Sequence, residues 1–408
     1  MKIKRVRAME ILDSRGNPTV QAEVLLASGV RVVAQVPSGA STGRHEALEL
    51  RDGDPARYGG KGVLRAVENI EQILGPAVVG MDTTDQAAID RKLLAQGAGL
   101  GANATLAISC ACARAASVAT GEPLWKYLAG SREPSLPAPP SLPIPMVNII
   151  SGGLHAGRNI EFQDFLVIPR GYENIANAIE AVVQVHRATG ELLRNSGFTM
   201  TGVADEGGWG PHLNSNEEAA AILRHAIDET GTRMDIALDV AASHFGDGSG
   251  YQLEGRRLTS SGMTDLLADW IPKYGITSIE DALGEDDWEG WKLITSRLGA
   301  KVRLVGDDLF ATNAVRLNRG IREGAANAVL VKMNQIGTLT QTFAVIDMAR
   351  EAGYGAVISA RSGETEDSFL ADLAVASGAG QIKIGSITRS ERLAKYNRLL
   401  EIEKWELA

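Results

Sequence analysis

MDIALDV (residues 234–240) is a short apolar run that ends on an acid, Asp239, and the same design recurs down the second half of the chain. ITSIED (276–281) closes on Glu280, and KVRLVGDD (301–308) on Asp307 and Asp308. NAVLVKM (327–333) reaches Lys332, GAVISA (355–360) is followed by Arg361 and Ser362, and GQIKIG (380–385) contains Lys383. A strand, a helix and two loops together occupy roughly 25 to 35 residues in a βα unit, close to the spacing of these runs. Between them lie stretches of helical period such as NEEAAAILRHAIDET (216–230) and LTQTFAVIDMAREAG (339–353). Strands alternating with amphipathic helices predict an α/β barrel whose strand ends open on one face. Acids and bases far apart in sequence then converge on one pocket, which points to an enzyme.

The first third reads differently. Residues 1–36 alternate apolar and polar and predict a strand hairpin or meander. VLRAVENIEQIL (63–74), DQAAIDRKLLAQ (85–96) and NATLAISCACARAASVA (103–119) have helical period. SGASTGRHEA (38–47) is a small-residue loop suited to closing over a ligand. Six of the 14 prolines fall between Pro134 and Pro145, an extended linker. The expected division is an α+β domain over 1–133 and a catalytic barrel over 134–408.

The bulk composition excludes some classes. The 408 residues are 44 % apolar and 22 % charged, ordinary globular values. A net charge of −9 argues against nucleic acid as a partner, which needs a basic stripe. MKIKRV is basic but no apolar core follows, so no secretory signal is expected. No run approaches the ~18 apolar residues of a membrane span, so no membrane partner is expected either. Cys110 and Cys112, two apart on a helical pattern, face different sides and cannot easily bridge. They read as small core residues in a reducing, cytoplasmic compartment.

Asp239, Glu280 and Asp307 are hard oxygen ligands of the kind Mg²⁺ prefers, and no His/Cys cluster suggests zinc. Each acid alone reads equally well as a helix cap; three with a downstream lysine favour a metal. Lys332 is either an ion-pair member or a general base with a depressed pKa. Glu206 in GVADEGGWGP (202–211) sits among glycines that let backbone approach a ligand, or in a plain surface turn. Arg361 and Ser362 pair a forked donor with a hydroxyl, apt for phosphate or carboxylate, or form a solvated helix start. His155 in ISGGLHAGRN (150–159) lies in a glycine-rich loop; His186 and His225 fall on helical patterns and read as structural. His45, His212 and His244 are undecided. GLGANA (99–104) follows a helical run, not a strand, and GDPARYGGKG (53–62) lacks a hydroxyl residue after its lysine. Neither therefore reads as a nucleotide loop.

Together these residues resemble the enolase family. DSRGNPTV (13–20), PSGASTG (37–43) with EALELRDGD (46–54), ADEGG (204–208), SIED (278–281) and VGDDL (305–309) look like its motifs. So do VKMNQIGTLT (331–340), SGETED (362–367), GQIK (380–383) and RSERLAKYN (389–397), in order over nearly the whole chain. The resemblance implies an enolase-type C-terminal α/β (TIM-like) barrel that begins ββαα, a smaller α+β N-terminal domain, and a homodimer or higher homo-oligomer. It implies two Mg²⁺ ions and a small phosphorylated carboxylate substrate, 2-phosphoglycerate, dehydrated to phosphoenolpyruvate. Carried over, Asp239, Glu280 and Asp307 hold the first Mg²⁺, and Ser41 the second together with the substrate phosphate. Lys332 takes the C2 proton and Glu206 serves the departing hydroxyl. Arg361 and Ser362 hold the phosphate, Gln163 and Lys383 lie near the carboxylate, and His155 closes from its loop.

Departures from the family pattern cluster where the 3-hydroxyl leaves. Ala360 stands where a histidine is expected, Asp164 for a glutamate, and Ser151 for an asparagine. His244 stands for a glutamate, Ile384 for a threonine, and Arg158 adds a charge. Two readings follow: an enolase with altered efficiency, or an enolase paralogue of phosphinate natural-product biosynthesis, of carboxyphosphonoenolpyruvate synthase type. A third, a non-catalytic scaffold, would call for loss of Lys332 or the acids, and all are present.

Overall fold

The computed structural model describes residues 1–39, 44–131 and 141–407. The chain opens with β1 (Ile3–Leu12), β2 (Pro18–Leu26) and β3 (Arg31–Gln35), an antiparallel meander as the alternation predicts. Val20, Ala22, Val24 and Leu26 of the central strand are buried beneath the helix Ala102–Thr120, which packs on β2 and β3. That helix is built almost wholly of small residues and is buried on nearly every side, because the barrel covers its other face. Thr105 Oγ1 donates to the Gly337 carbonyl at 2.8 Å, and Ser109 Oγ accepts from the Leu339 amide at 3.0 Å. Contrary to the sequence expectation, this helix is long and apolar enough to cross a membrane by length and composition; with 83 % of that window buried inside the protein, it is a core helix. Cys110 and Cys112 lie on it, free and buried.

The barrel strands are β4 (Ile144–Ser151), β5 (Asp164–Pro169) and β6 (Met234–Asp239). A small outer hairpin follows, β7 (Tyr251–Leu253) with β8 (Arg256–Leu258). The barrel then resumes with β9 (Ile276–Glu280), β10 (Arg303–Gly306), β11 (Ala328–Val331), β12 (Gly355–Ser359) and β13 (Gly380–Gly385). The ring runs β4-β5-β6-β9-β10-β11-β12-β13 and closes on β4. Helices Ile175–Asn195 and Asn216–Thr230 follow β5, so the barrel begins ββαα before settling into alternation. Only β5 runs against its neighbours. Its first residue therefore reaches the end of the barrel where the other strands finish: Asp164 is in register with both Ser151 and Asp239. The lumen is filled by Met146, Leu166, Ile168, Ala237, Val305, Ala328, Leu330 and Val357, a packed core and not a pore.

The helices are capped from their own loops. Ser215 Oγ accepts from Glu218 N at 3.1 Å, Asp287 Oδ1 from Gly290 N at 2.9 Å, and Asn313 Oδ1 from Val315 N at 2.9 Å; Thr259 and Thr338 do the same for their helices. The strand-end acids Asp239, Glu280 and Asp307 cap nothing, so the capping alternative fails and these carboxylates remain available to the cleft.

Further polar contacts fasten the N-terminal part to the barrel. Asp90 Oδ2 accepts from Thr340 N at 2.9 Å and from its hydroxyl at 2.6 Å. Arg114 forms a bidentate pair with Asp367 at 2.6 and 2.9 Å, and Asp367 also accepts from Gln35 N at 3.0 Å. The division drawn between residues 133 and 134 falls in 132–140, outside the described residues. Asp367→Ala leaves the Arg114 guanidinium without its partner and is expected to cost about 3 kcal/mol. Urea unfolding monitored by circular dichroism checks this; an unchanged midpoint would show that the pair does not join the two parts.

Candidate active site

At the C-terminal ends of the strands lies a polar cleft. Neighbouring strands set its acids side by side: Asp239 is in register with Glu280, and Asp307 lies two residues past Val305, the register partner of Glu280. Lys383 on β13 reaches across the barrel. Its Nζ lies 2.7 Å from Asp239 Oδ2 and 2.8 Å from both oxygens of Glu280. Lys332 Nζ donates to Asp307 Oδ2, and Gln163 Nε2 to Asp239 Oδ2 at 3.0 Å. Burial opposes charge on Lys383, but Asp239 and Glu280 overcome it and hold the ammonium well above the ordinary lysine value. Burial also opposes ionisation of Asp239, yet Lys383 holds that carboxyl below its ordinary value. Glu280 goes the other way, driven well up by burial and the adjacent Asp239 charge.

Asp281 and Asp308, to which the sequence analysis assigned no role, add to this crowd. The oxygens of Asp281, Asp307 and Asp308 come within 4.8 Å of one another. Asp281 is nevertheless a brace: at a positive φ of 42°, it accepts from the amides of Asp307 at 2.9 Å and Asp308 at 2.7 Å, and so fixes the loop that presents Asp307. Burial, then the Asp307 charge, pushes Asp308 up to about 7. Five carboxyl groups thus crowd round two ammonium groups, and their mutual repulsion, seen in the raised values of Glu280 and Asp308, is what a divalent cation would offset. Their hard oxygens suit Mg²⁺.

Of the two readings of Lys332, ion-pair member or base with a depressed pKa, the structure shows the first: it pairs with Asp307, whose charge outweighs the burial that would lower the lysine and holds it above its ordinary value.

The opposite wall carries a row of ionisable side chains. His155 Nδ1 lies 2.9 Å from Asp164 Oδ2, and its Nε2 lies 3.7 Å from Glu206 Oε1. Burial disfavours the imidazolium, but Asp164 and Glu206 raise His155 to about 9. Asp164 is wholly buried and accepts from Asn148 Nδ2 at 2.5 Å and Ser151 Oγ at 3.1 Å. It does not line the cleft; it reaches the cleft only through His155. Gly207 takes φ +93°, where an added Cβ would strike the Thr388 hydroxyl at 2.5 Å, so glycine is required for the turn that presents Glu206.

Arg361 and Ser362 line a third side. Arg361 pairs with Glu46 at 3.1 Å and donates to Asn334 Oδ1 at 2.7 Å. Behind them, Arg392 donates to the carbonyls of Arg361 and Ser362 at 2.6 Å each. Lys395 Nζ lies 2.8 Å from Glu364 Oε2, and the other oxygen of Glu364 accepts from the Arg361 amide at 3.0 Å. Glu46, Asn334, Arg392 and Lys395 were not singled out in the sequence. Their only signal was their place inside or next to motif stretches. Of the residues singled out, Asp239, Asp307, Lys332, Lys383, Gln163, Glu206, His155, Arg361 and Ser362 line the cleft. Glu280 joins it through Lys383, and Ser41 lies outside the described residues. His186 stacks on Trp209 at 4.8 Å, a packing role.

The chain was compared with known proteins. Residues 3–128 match the family model "Enolase, N-terminal domain", and residues 139–408 match "Enolase, C-terminal TIM barrel domain". The chain is 52 % identical to the enolase of Rubrobacter xylanophilus, over 99 % of its own length and 95 % of that protein's. The chain belongs to the enolase family. It is an enolase-type hydro-lyase, and the cleft must be read as an enolase cleft with altered walls. Ala360 and Ile384 line it with apolar groups. His244 lines it too, with Nδ1 buried and unpartnered among the described residues. Arg158, by contrast, is exposed and lines a neighbouring groove that shares only Leu154 and His244 with this enolase-family cleft.

Because His155 is raised above its ordinary 6.5, the stability it contributes is present in full below pH 6.5 and is lost as pH rises through about 9. Melting temperatures from pH 6 to 10 should therefore fall more steeply for the native protein than for His155→Gln. Parallel curves would remove the charged His155–Asp164 pair.

Proposed function

We propose that the cleft interconverts 2-phosphoglycerate and phosphoenolpyruvate, with Lys332 taking the C2 proton and Glu206 serving the C3 hydroxyl. The observation that carries this reading is the placement of base and acid. Lys332 follows β11, and Glu206 comes from the loop hydrogen-bonded to the end of β13 through Ser386 N at 2.8 Å. A small substrate between them has its C2 hydrogen toward one and its C3 hydroxyl toward the other. Asp239, Glu280 and Asp307 would hold Mg²⁺; when bound, it supplies the positive charge that stabilises an enolate. With Asp307 among the residues that would hold the cation, Lys332 would give up its ion-pair partner and serve as the base.

Glu206 lies below its ordinary value: burial would raise it, but His155, Arg392 and Lys383 together outweigh that. It therefore rests ionised, and the protonated His155 beside it supplies the proton that Glu206 passes to the leaving hydroxyl, which departs as water. In the reverse direction Glu206 takes a proton from the attacking water. Arg361 and Ser362 grip the phosphate, with Glu46 giving up its place on the guanidinium. Gln163 and Lys383 meet the substrate carboxylate. Asp164 is a positioning residue that orients His155. Ser41 and a second Mg²⁺ complete the site by family resemblance. The same resemblance and the two unpaired cysteines support a cytoplasmic homodimer or higher homo-oligomer.

Purified protein with Mg²⁺ and 2-phosphoglycerate should give the ultraviolet absorbance of phosphoenolpyruvate and lose it on chelation. No turnover in protein that binds both Mg²⁺ and phosphoenolpyruvate would overturn the assignment. Lys332→Ala is expected to lower kcat by about 10²- to 10⁴-fold with the fold intact; retained activity would mean that another group is the base. The paralogue reading keeps one observation, the Ala360 methyl in the cleft wall. Ala360→His should raise kcat/KM for 2-phosphoglycerate if that methyl limits the reaction, and no gain with binding intact would remove the idea.

A further inference from the structure

The opposite end of the barrel carries an unexplained charge. There the strand starts frame an open depression, at the other end of the strands from the catalytic cleft. Arg303, the first residue of β10, is half-buried in its wall. Its guanidinium lies across Gly355, where an added Cβ would meet Nε at 3.2 Å and Cζ at 3.4 Å, so the absent side chain makes its room. Among the described residues it has no hydrogen bond or ion pair. Burial alone acts on its pKa, lowering it, and no carboxylate offsets that.

Two further polar groups in the same wall lack partners. Ser278 Oγ and Gln381 Oε1 are buried without a hydrogen bond, on residues only 2 % and 8 % exposed. Lys301 adds a second positive charge to the rim. The one acid in the wall, Asp235, is paired with Arg170 at 3.4 Å. Buried polar groups and charges are normally paired, since stripping them of water without compensation is costly. A guanidinium fork, an ammonium and a hydroxyl are the donors that bind oxyanions. The Gln381 amide can turn to offer its N–H.

We propose that this end of the barrel is a binding site for a small oxyanion, a phosphate or carboxylate group, held by Arg303, Lys301 and Ser278. The ligand sits at the far end of the strands from Lys332, so it does not compete with 2-phosphoglycerate. Glu280 stands two residues beyond Ser278 on the same face of β9, which gives the site a direct structural link to the acids of the cleft.

Selenate soaked into crystals of the native protein should give an anomalous peak beside Arg303; a depression holding only water would overturn the proposal. Equilibrium dialysis with inorganic phosphate should find one more bound equivalent in the native protein than in Arg303→Met, with the KM for 2-phosphoglycerate unchanged. Equal binding, or a loss that moves with KM, would overturn it. If Arg303→Met does not fold, Ser278→Ala should weaken the same phosphate equivalent at least threefold, and unchanged affinity would count against the site. Succinate in place of phosphate separates the two sources: displacement of phosphate assigns carboxylates to the site, and its failure restricts the site to phosphate.

Discussion

The ammonium of Lys383, lying between Asp239 and Glu280, is the contact on which the cleft depends. Three strands far apart in sequence end at one point, and two of them end in carboxylates. Without a cation those acids could not both be ionised in a water-poor barrel mouth. Lys383 is held above its ordinary value by the same acids it neutralises, while Glu280, crowded by Asp239, is driven the other way. The charge in the cleft is therefore poised: it has one strong internal cation, a second in Lys332, and more acid than both can satisfy. The acids of such a site could hold a divalent cation, whose charge would offset theirs.

The reversed β5 serves the same end. A parallel strand would deliver its last residue to the cleft; β5 delivers its first, so Gln163 and Asp164 arrive there and Pro169 faces the other end. Asp164 then sits behind His155 and not in the open cleft. Its charge raises the imidazole to about 9, next to Glu206. The aspartate at this position is thus accommodated within a tight network with Asn148 and Ser151. The other departures divide by location: Ala360, Ile384 and His244 change the cleft wall, whereas Arg158 changes a groove outside it.

Behind the site, buried cations hold the loop of Arg361 and Ser362 in place. Arg392 and Lys395, almost wholly buried, donate to backbone carbonyls and to Glu364 beneath Arg361 and Ser362. The helix Ala102–Thr120 braces the barrel from the other side, and its small residues let the sheet and the barrel approach it closely. The half-buried Arg303 stands apart from these charges because no described residue answers it.

By itself, the sequence determined the classes of element and the chemistry of their ends. Apolar runs of strand length closing on Asp239, Glu280, Asp307 and Lys332, spaced by helices, leave little choice but a barrel with its polar residues at one mouth. Alternation in residues 1–36 likewise required a meander, because periodicity is a local property. Tertiary structure alone decided the pairings. That Lys332 meets Asp307 and so lies above its ordinary pKa, that Lys383 bridges two acids, and that Asp164 sits behind His155 all depend on distances across the barrel. The direction of β5 and the roles of Glu46, Arg392 and Lys395 depend on them too. Charge interactions fall off with separation in space, and separation in space is what a one-dimensional pattern does not carry.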